Sequence, residues 1–107
     1  MSFRVLMRMH GGLAVRQATS EERESILGPG FEKMLSGWQK QGIRLVGTFG
    51  NGAHVDGFAH YAIFEIDDMD LIKKMDNDFM GSDFAGMIED FELHLGWNRD
   101  FIDKHWA

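Results

Sequence analysis

The stretch Ile43–Ile66, IRLVGTFGNGAHVDGFAHYAIFEI, decides how this chain folds. Its two ends, Ile43–Phe49 and Phe58–Ile66, are rich in aromatic and β-branched residues and read as strands. The connection between them is longer than the two to five residues that close most hairpins. Within Gly50–Tyr61 it places His54, Asp56, His60 and Tyr61. A strand junction left long and supplied with two imidazoles and a carboxylate is a place to look for function.

Moving outward toward the N-terminus, Gly42 stops a helix. Phe31, Met34, Leu35 and Trp38 form that helix's apolar stripe at i, i+3, i+4 and i+7. Its start is signalled by Thr19 as cap and Glu22 three residues on. Gly28-Pro29-Gly30 predicts a break or kink, because proline offers no amide hydrogen and crowds the preceding turn. Glu21, Glu22 and Glu24 read as a solvated first turn. Before this helix, Gly11-Gly12 loosens the chain. Phe3–Met9 alternates, with Phe3, Val5, Met7 and Met9 on one face and Arg4, Leu6 and Arg8 on the other, which is a strand.

Toward the C-terminus, Asp67, Asp68 and Asp70 put negative charge where a helix dipole favours it. Leu71, Ile72, Met75 and Phe79 then make an apolar helical face. Gly81-Ser82-Asp83 recaps, and Phe84, Met87, Ile88 and Phe91 continue the stripe. Glu92–Asn98 reads as the last strand, with Leu93, Leu95 and Trp97 on one side and His94 and Asn98 on the other.

The order strand, helix, strand, strand, helix, strand is the split pattern of a ferredoxin-like α+β sandwich. In it, helices cover one face of a four-stranded antiparallel sheet. A chain of 107 residues forms a single domain, 1–107, and supplies no third layer for the opposite face. A homodimer closing that face is the economical solution. GIRLVGTFG (Gly42–Gly50) and HYAIFEIDDMD (His60–Asp70), in this order of elements, resemble the dimeric α+β barrel superfamily. The resemblance implies two sheets closed around a ligand cavity. Its members include muconolactone-type isomerases, antibiotic-biosynthesis monooxygenases, haem-degrading monooxygenases and stress-responsive barrels, so the fold does not select a reaction.

Composition narrows the field. The formal net charge is -6 and no run of Lys or Arg exists, which argues against nucleic acid or an anionic membrane as partner. Cysteine is absent, so thiolate chemistry and disulfides are excluded. No apolar run approaches a membrane span. The opening MSFRVLMRMH lacks the features of a signal peptide, and a cytoplasmic location is expected. Eight Met and nine Phe point to a deformable, aromatic-rich interior.

Topology then places the chemistry. The end of the first strand, at His10, should lie beside the starts of the third and fourth, at His60 and His94, with the hairpin of His54 and Asp56 at the same edge. Arg8, His10, Tyr61, Glu65 and His94 are expected in the cavity on the open face. His54, Asp56 and His60 are expected at its rim, with the facing of His60 open to reversal by a bulge near Gly57. The leading expectation is a small, cofactor-independent enzyme that acts on a hydrophobic, oxygenated small molecule by proton transfer, of the isomerase, lyase or monooxygenase type. His94 would be base or acid, His10 or Tyr61 its partner, and Arg8 the substrate clamp. His54, Asp56, His60 and Glu65 would contact the ligand. The alternatives are a non-catalytic ligand-binding or stress-related barrel, and a haem- or metal-binding barrel. His54-x-Asp56 with His60 and His94 offers ligand types but matches no established metal spacing. Trp38 is explained by its apolar stripe without invoking haem.

Overall fold

The computed structural model describes residues 2–50, 59–97 and 104–105. The four strands are β1 (Phe3–Gly11), β2 (Arg44–Gly50), β3 (Ala59–Ile66) and β4 (Ile88–Trp97). The helices are α1 (Leu13–Gln17), α2 (Ser20–Lys40) and α3 (Leu71–Met80). The strands form one antiparallel sheet in the order β2-β3-β1-β4, compatible with a ferredoxin-like fold. The central position of β1 agrees with the sequence reading.

Alternation sorts the side chains between the two faces. Val5, Met7 and Met9 of β1 and Ala62, Phe64 and Ile66 of β3 are buried against the helices. Met34 and Trp38 of α2 and Met75 and Phe79 of α3 complete the same core. Trp38 is 1% exposed, sits edge-on to Phe64 and donates its indole N–H to Asp78 Oδ2 at 2.9 Å. A buried indole needs such a partner, and the pairing accounts for this residue structurally. Cross-strand register puts Phe3, Val5, Met7 and Met9 opposite Trp97, Leu95, Leu93 and Phe91, all on the helix side. Phe91 stacks on Phe79 of α3.

α2 is one continuous helix, so the expected break at Pro29 does not occur. Both ends are well determined locally. Thr19 accepts from the Glu22 amide, and the Glu22 carboxylate accepts from the Thr19 amide, which closes a capping box. At the far end the Ile43 amide donates to the Trp38 carbonyl and the Gly42 amide to Gln39, with Gly42 at φ +87°. This is a Schellman stop. The Gly-Pro-Gly triplet makes a notch: a Cβ on Gly30 would lie 2.5 Å from Cδ1 of Phe84. Phe84 is buried there, stacked on Phe31 and edge-on to Phe79. The lost proline hydrogen bond is offset by that docking.

Phe84–Phe91 is not a continuation of the second helix. Ala85–Met87 forms a short 3-10 turn, and β4 begins at Ile88, before the expected Glu92. The stripe is apolar for another reason. Phe84 plugs the core, whereas Phe91 belongs to the strand. Gly11 extends β1, and Gly11-Gly12 leads directly into α1, which the sequence reading did not include. Of the acidic triplet, Asp70 is the cap residue of α3, Asp68 accepts from the Asp70 amide, and Asp67 turns to Arg44. Among the described residues, no helix is long and apolar enough to cross a membrane.

Candidate functional site

Register fixes the facing of every described candidate. Arg8 pairs with Tyr61 and Glu92, Arg4 with Glu65, and Leu6 with Ile63 and His94. These residues share the face without helices. His60 pairs with Met9 and Gly50, which puts it on the helix side, as strict alternation requires. Irregularities in pairing fall at His10/Gly11 and Leu45/Gly47. His54 and Asp56, and the expected bulge near Gly57, lie outside the described residues.

Among the described residues, the expected gathering of histidines at one end holds for His10 and His60 and fails for His94. Because β4 starts at Ile88, His94 stands opposite Leu6 in the middle of β1. Four residues of strand separate Leu6 from His10, roughly 13 Å at the usual rise.

The open face is a lattice of ion pairs. Arg8 Nη1 meets Asp90 at 2.7 Å, and His94 Nε2 meets Glu92 at 3.2 Å. His10 Nδ1 and Arg16 Nη1 converge on one oxygen of Glu89, at 3.4 and 2.6 Å. Glu65 lies between Arg4 at 3.4 Å and Arg44 at 2.9 Å, and Arg44 also holds Asp67 at 3.1 Å. The Arg44 guanidinium keeps the Asp67 carboxyl below the usual carboxylate range, through hydrogen bonding first and charge second. Tyr61 stacks on Phe49 with ring centres 4.6 Å apart. Each candidate on this face is engaged by a neighbour within the chain.

A cavity formed within the single chain lies elsewhere. It lies between α2 and the sheet, on the helix side, with a volume of about 660 Å³. Met7, Met9, Leu27, Phe31 and Phe64 give it an apolar lining. Arg23, Glu24 and His60 bring charged and titratable groups, and the candidate Tyr61 also lines it. In the single chain β1 and β3 leave room under α2, while among the described residues no element covers the opposite face, where the sequence places a cavity only on closure by a second copy.

Local structure sets those three side chains. Arg23 leans back toward α1, donating Nε–H to the Val15 carbonyl at 2.8 Å and Nη2–H to that of Arg16 at 3.3 Å. Glu24 leans the other way. Its Oε1 would be 2.7 Å from a Cβ on Gly28. His60 is at the rim beside Gly50, where its Nδ1 would be 3.6 Å from a Cβ on that glycine. Burial, then the charge of Arg23, then His10, lower the His60 pKa from its usual 6.5. The imidazole is neutral at neutral pH, with a nitrogen able to accept a proton.

Arg23 and Glu24 were missed as site residues, Glu24 because it read as solvated. One signal was present. Arg23, Leu27, Phe31, Met34 and Trp38 follow helical spacing, so Arg23 is a cation on the inward stripe of α2. Among the described residues, no group of three or more His, Asp or Glu side chains is arranged to hold a metal ion. Compared with known proteins, the chain matches no family and no curated protein.

Proposed function

We infer that this protein binds a hydrophobic, oxygen-bearing small molecule between α2 and the sheet, and moves a proton on it at His60 without a cofactor. The observation that carries this reading is an apolar cavity of about 660 Å³ with a neutral imidazole at its rim and a guanidinium beside it. Cavities of this size and lining suit small ligands, and a few polar groups fix their orientation. A neutral His can take a proton from a carbon next to a carbonyl, and Arg23 can stabilise the oxyanion that develops. The test has two parts. Nile red fluorescence should rise with the wild-type protein and fall strongly with Leu27→Trp, which fills the cavity. Deuterium exchange next to the carbonyl of a medium-chain ketone in heavy water should be accelerated by wild type and not by His60→Gln. Dye binding untouched by a folded Leu27→Trp protein overturns the site. Exchange untouched by His60→Gln overturns the chemistry.

A second proposal concerns assembly. Leu6 and Ile63 face each other at the centre of the open face, rimmed by the ion pairs of Arg4, Arg8, Glu65 and Asp90. An apolar centre with a charged rim is the pattern of a protein interface. A homodimer in which two sheets meet here would enclose His94, His10, Tyr61 and Arg8. That enclosure would give the open face a cavity of its own; were the chemistry there rather than at His60, His94→Ala would abolish turnover without unfolding the protein.

A further inference from the structure

We propose that the outer edge of β2 accepts an extended peptide from a partner protein, whose central aromatic residue continues the Phe49–Tyr61 stack and whose bulky apolar neighbours enter the cavity under α2. This goes beyond the small-molecule reading, with which it shares one cavity.

The main chain of β2 calls for a strand. β2 ends the sheet order, so among the described residues no strand pairs with its outer side. Such an edge is a template for one more strand unless charge or proline blunts it. From Leu45 to Gly50 β2 carries neither. Arg44, at its start, is held by Glu65 and Asp67. The bulge between Leu45 and Gly47 leaves Gly47–Gly50 as the regular run, enough for a short added strand.

Side chains on the two faces then set the partner's chemistry. On the open face the Phe49 and Tyr61 rings are 7° from parallel and 4.6 Å apart, close to the strand spacing of about 4.8 Å. The stack therefore runs across the strands. Phe49 is 55% exposed at the edge, so the stack is open on its outer side. Gly47, two residues back on the same face, has nothing within 4 Å of its missing Cβ, which leaves room for a large ring. A residue paired opposite Phe49 lies at the next step of that stack, where an aromatic ring gains most. On the helix face Thr48 and Gly50 pair with Ala62 and His60, and both line the cavity with Leu27, Phe31 and Leu35. By alternation, the partner residues on either side of the aromatic share that face. Bulky apolar side chains there reach past Thr48 and Gly50 into an apolar space of about 660 Å³. A second copy of this chain fits less well. Paired β2 to β2 with Phe49 opposite Phe49, it offers only Thr48 and Gly50 to the cavity, and neither fills it. Main-chain pairing for affinity, with pockets for alternate side chains, is how sheet edges recognise peptides.

The experiment is fluorescence anisotropy of the full chain with three fluorescein-labelled peptides. These are Ser-Thr-Leu-Phe-Leu-Thr-Ser, the same peptide N-methylated at Leu, Phe and Leu, and the same peptide with both Leu replaced by Ser. The first should bind at least about tenfold tighter than either of the others. It should also slow amide hydrogen exchange in β2 and release bound Nile red. Phe49→Ala should weaken it by about five- to tenfold. Should Phe49→Ala fail to fold, the ranking of the peptides and the β2 amide exchange still decide. Equal binding of the N-methylated or the Ser peptide, or binding indifferent to a folded Phe49→Ala protein, would overturn the proposal. Dimerisation abolished by Phe49→Ala, with no peptide bound, would give the edge to a second copy and overturn it too. Nile red bound but no peptide bound would overturn it while leaving the cavity reading. Neither bound would overturn both.

Discussion

His60 shows what a single register position does. One residue along β3, Tyr61 shares the open face with Arg8 and stacks on Phe49, whereas His60 pairs with Met9 on the helix side and stands exposed at the cavity rim. Its lowered pKa links it to stability with a definite sign. The fold prefers the neutral ring, so this contribution is complete above the usual 6.5 and is lost as pH falls from there through the lowered folded-state value, because the unfolded chain binds the proton more readily. Thermal melts from pH 7.5 to 5 should show a falling Tm, and His60→Gln should flatten that slope. Two glycines of α2 give opposite expectations. Gly30→Ala drives a methyl into buried Phe84 and should destabilise by about 1–3 kcal/mol in urea titration. Gly37 has nothing within 4 Å of its missing Cβ, so Gly37→Ala should stabilise by roughly 0.5–1 kcal/mol.

Helix α2 holds the molecule together at the next scale. Its ends are encoded locally, by Thr19 with Glu22 and by Gly42, and both signals were legible as letters. Thr19→Ala should cost about 1 kcal/mol, measured by chemical denaturation. Its middle was misread because proline rules describe an isolated helix. Here the glycines flanking Pro29 admit Phe84, and tertiary packing outweighs local preference. The start of β4 was misread for a related reason. Phe84, Met87, Ile88 and Phe91 fit a helical period, yet a short apolar run cannot by period alone be told from a turn entering a strand. That displacement of the strand start moved His94 away from His10.

The whole molecule measures 19 Å through its thinnest dimension, about the depth of one sheet and one layer of helices. The edge strand β2 leaves Leu45 and Phe49 more than half exposed, and the open face carries Leu6 and Ile63 amid charge. If two copies meet by this face, light scattering should report twice the monomer mass. Leu6→Asp should return the monomer mass with the circular dichroism spectrum unchanged. A monomer mass for the wild-type protein at micromolar concentration would reject the dimer.

By itself the sequence determined the α+β class, the order of strands, the inward faces of β1 and β4, and both ends of α2. These follow from periodicity and capping, which are local and written in neighbouring residues. Only the tertiary structure decided that Pro29 stays inside a helix, that His94 lies far from His10, and that the cavity sits beneath α2. Those outcomes depend on which distant side chains fill or leave space, such as Phe84 against Gly30 and Arg23 against the α1 carbonyls. Contacts between residues far apart in the chain have no period to betray them.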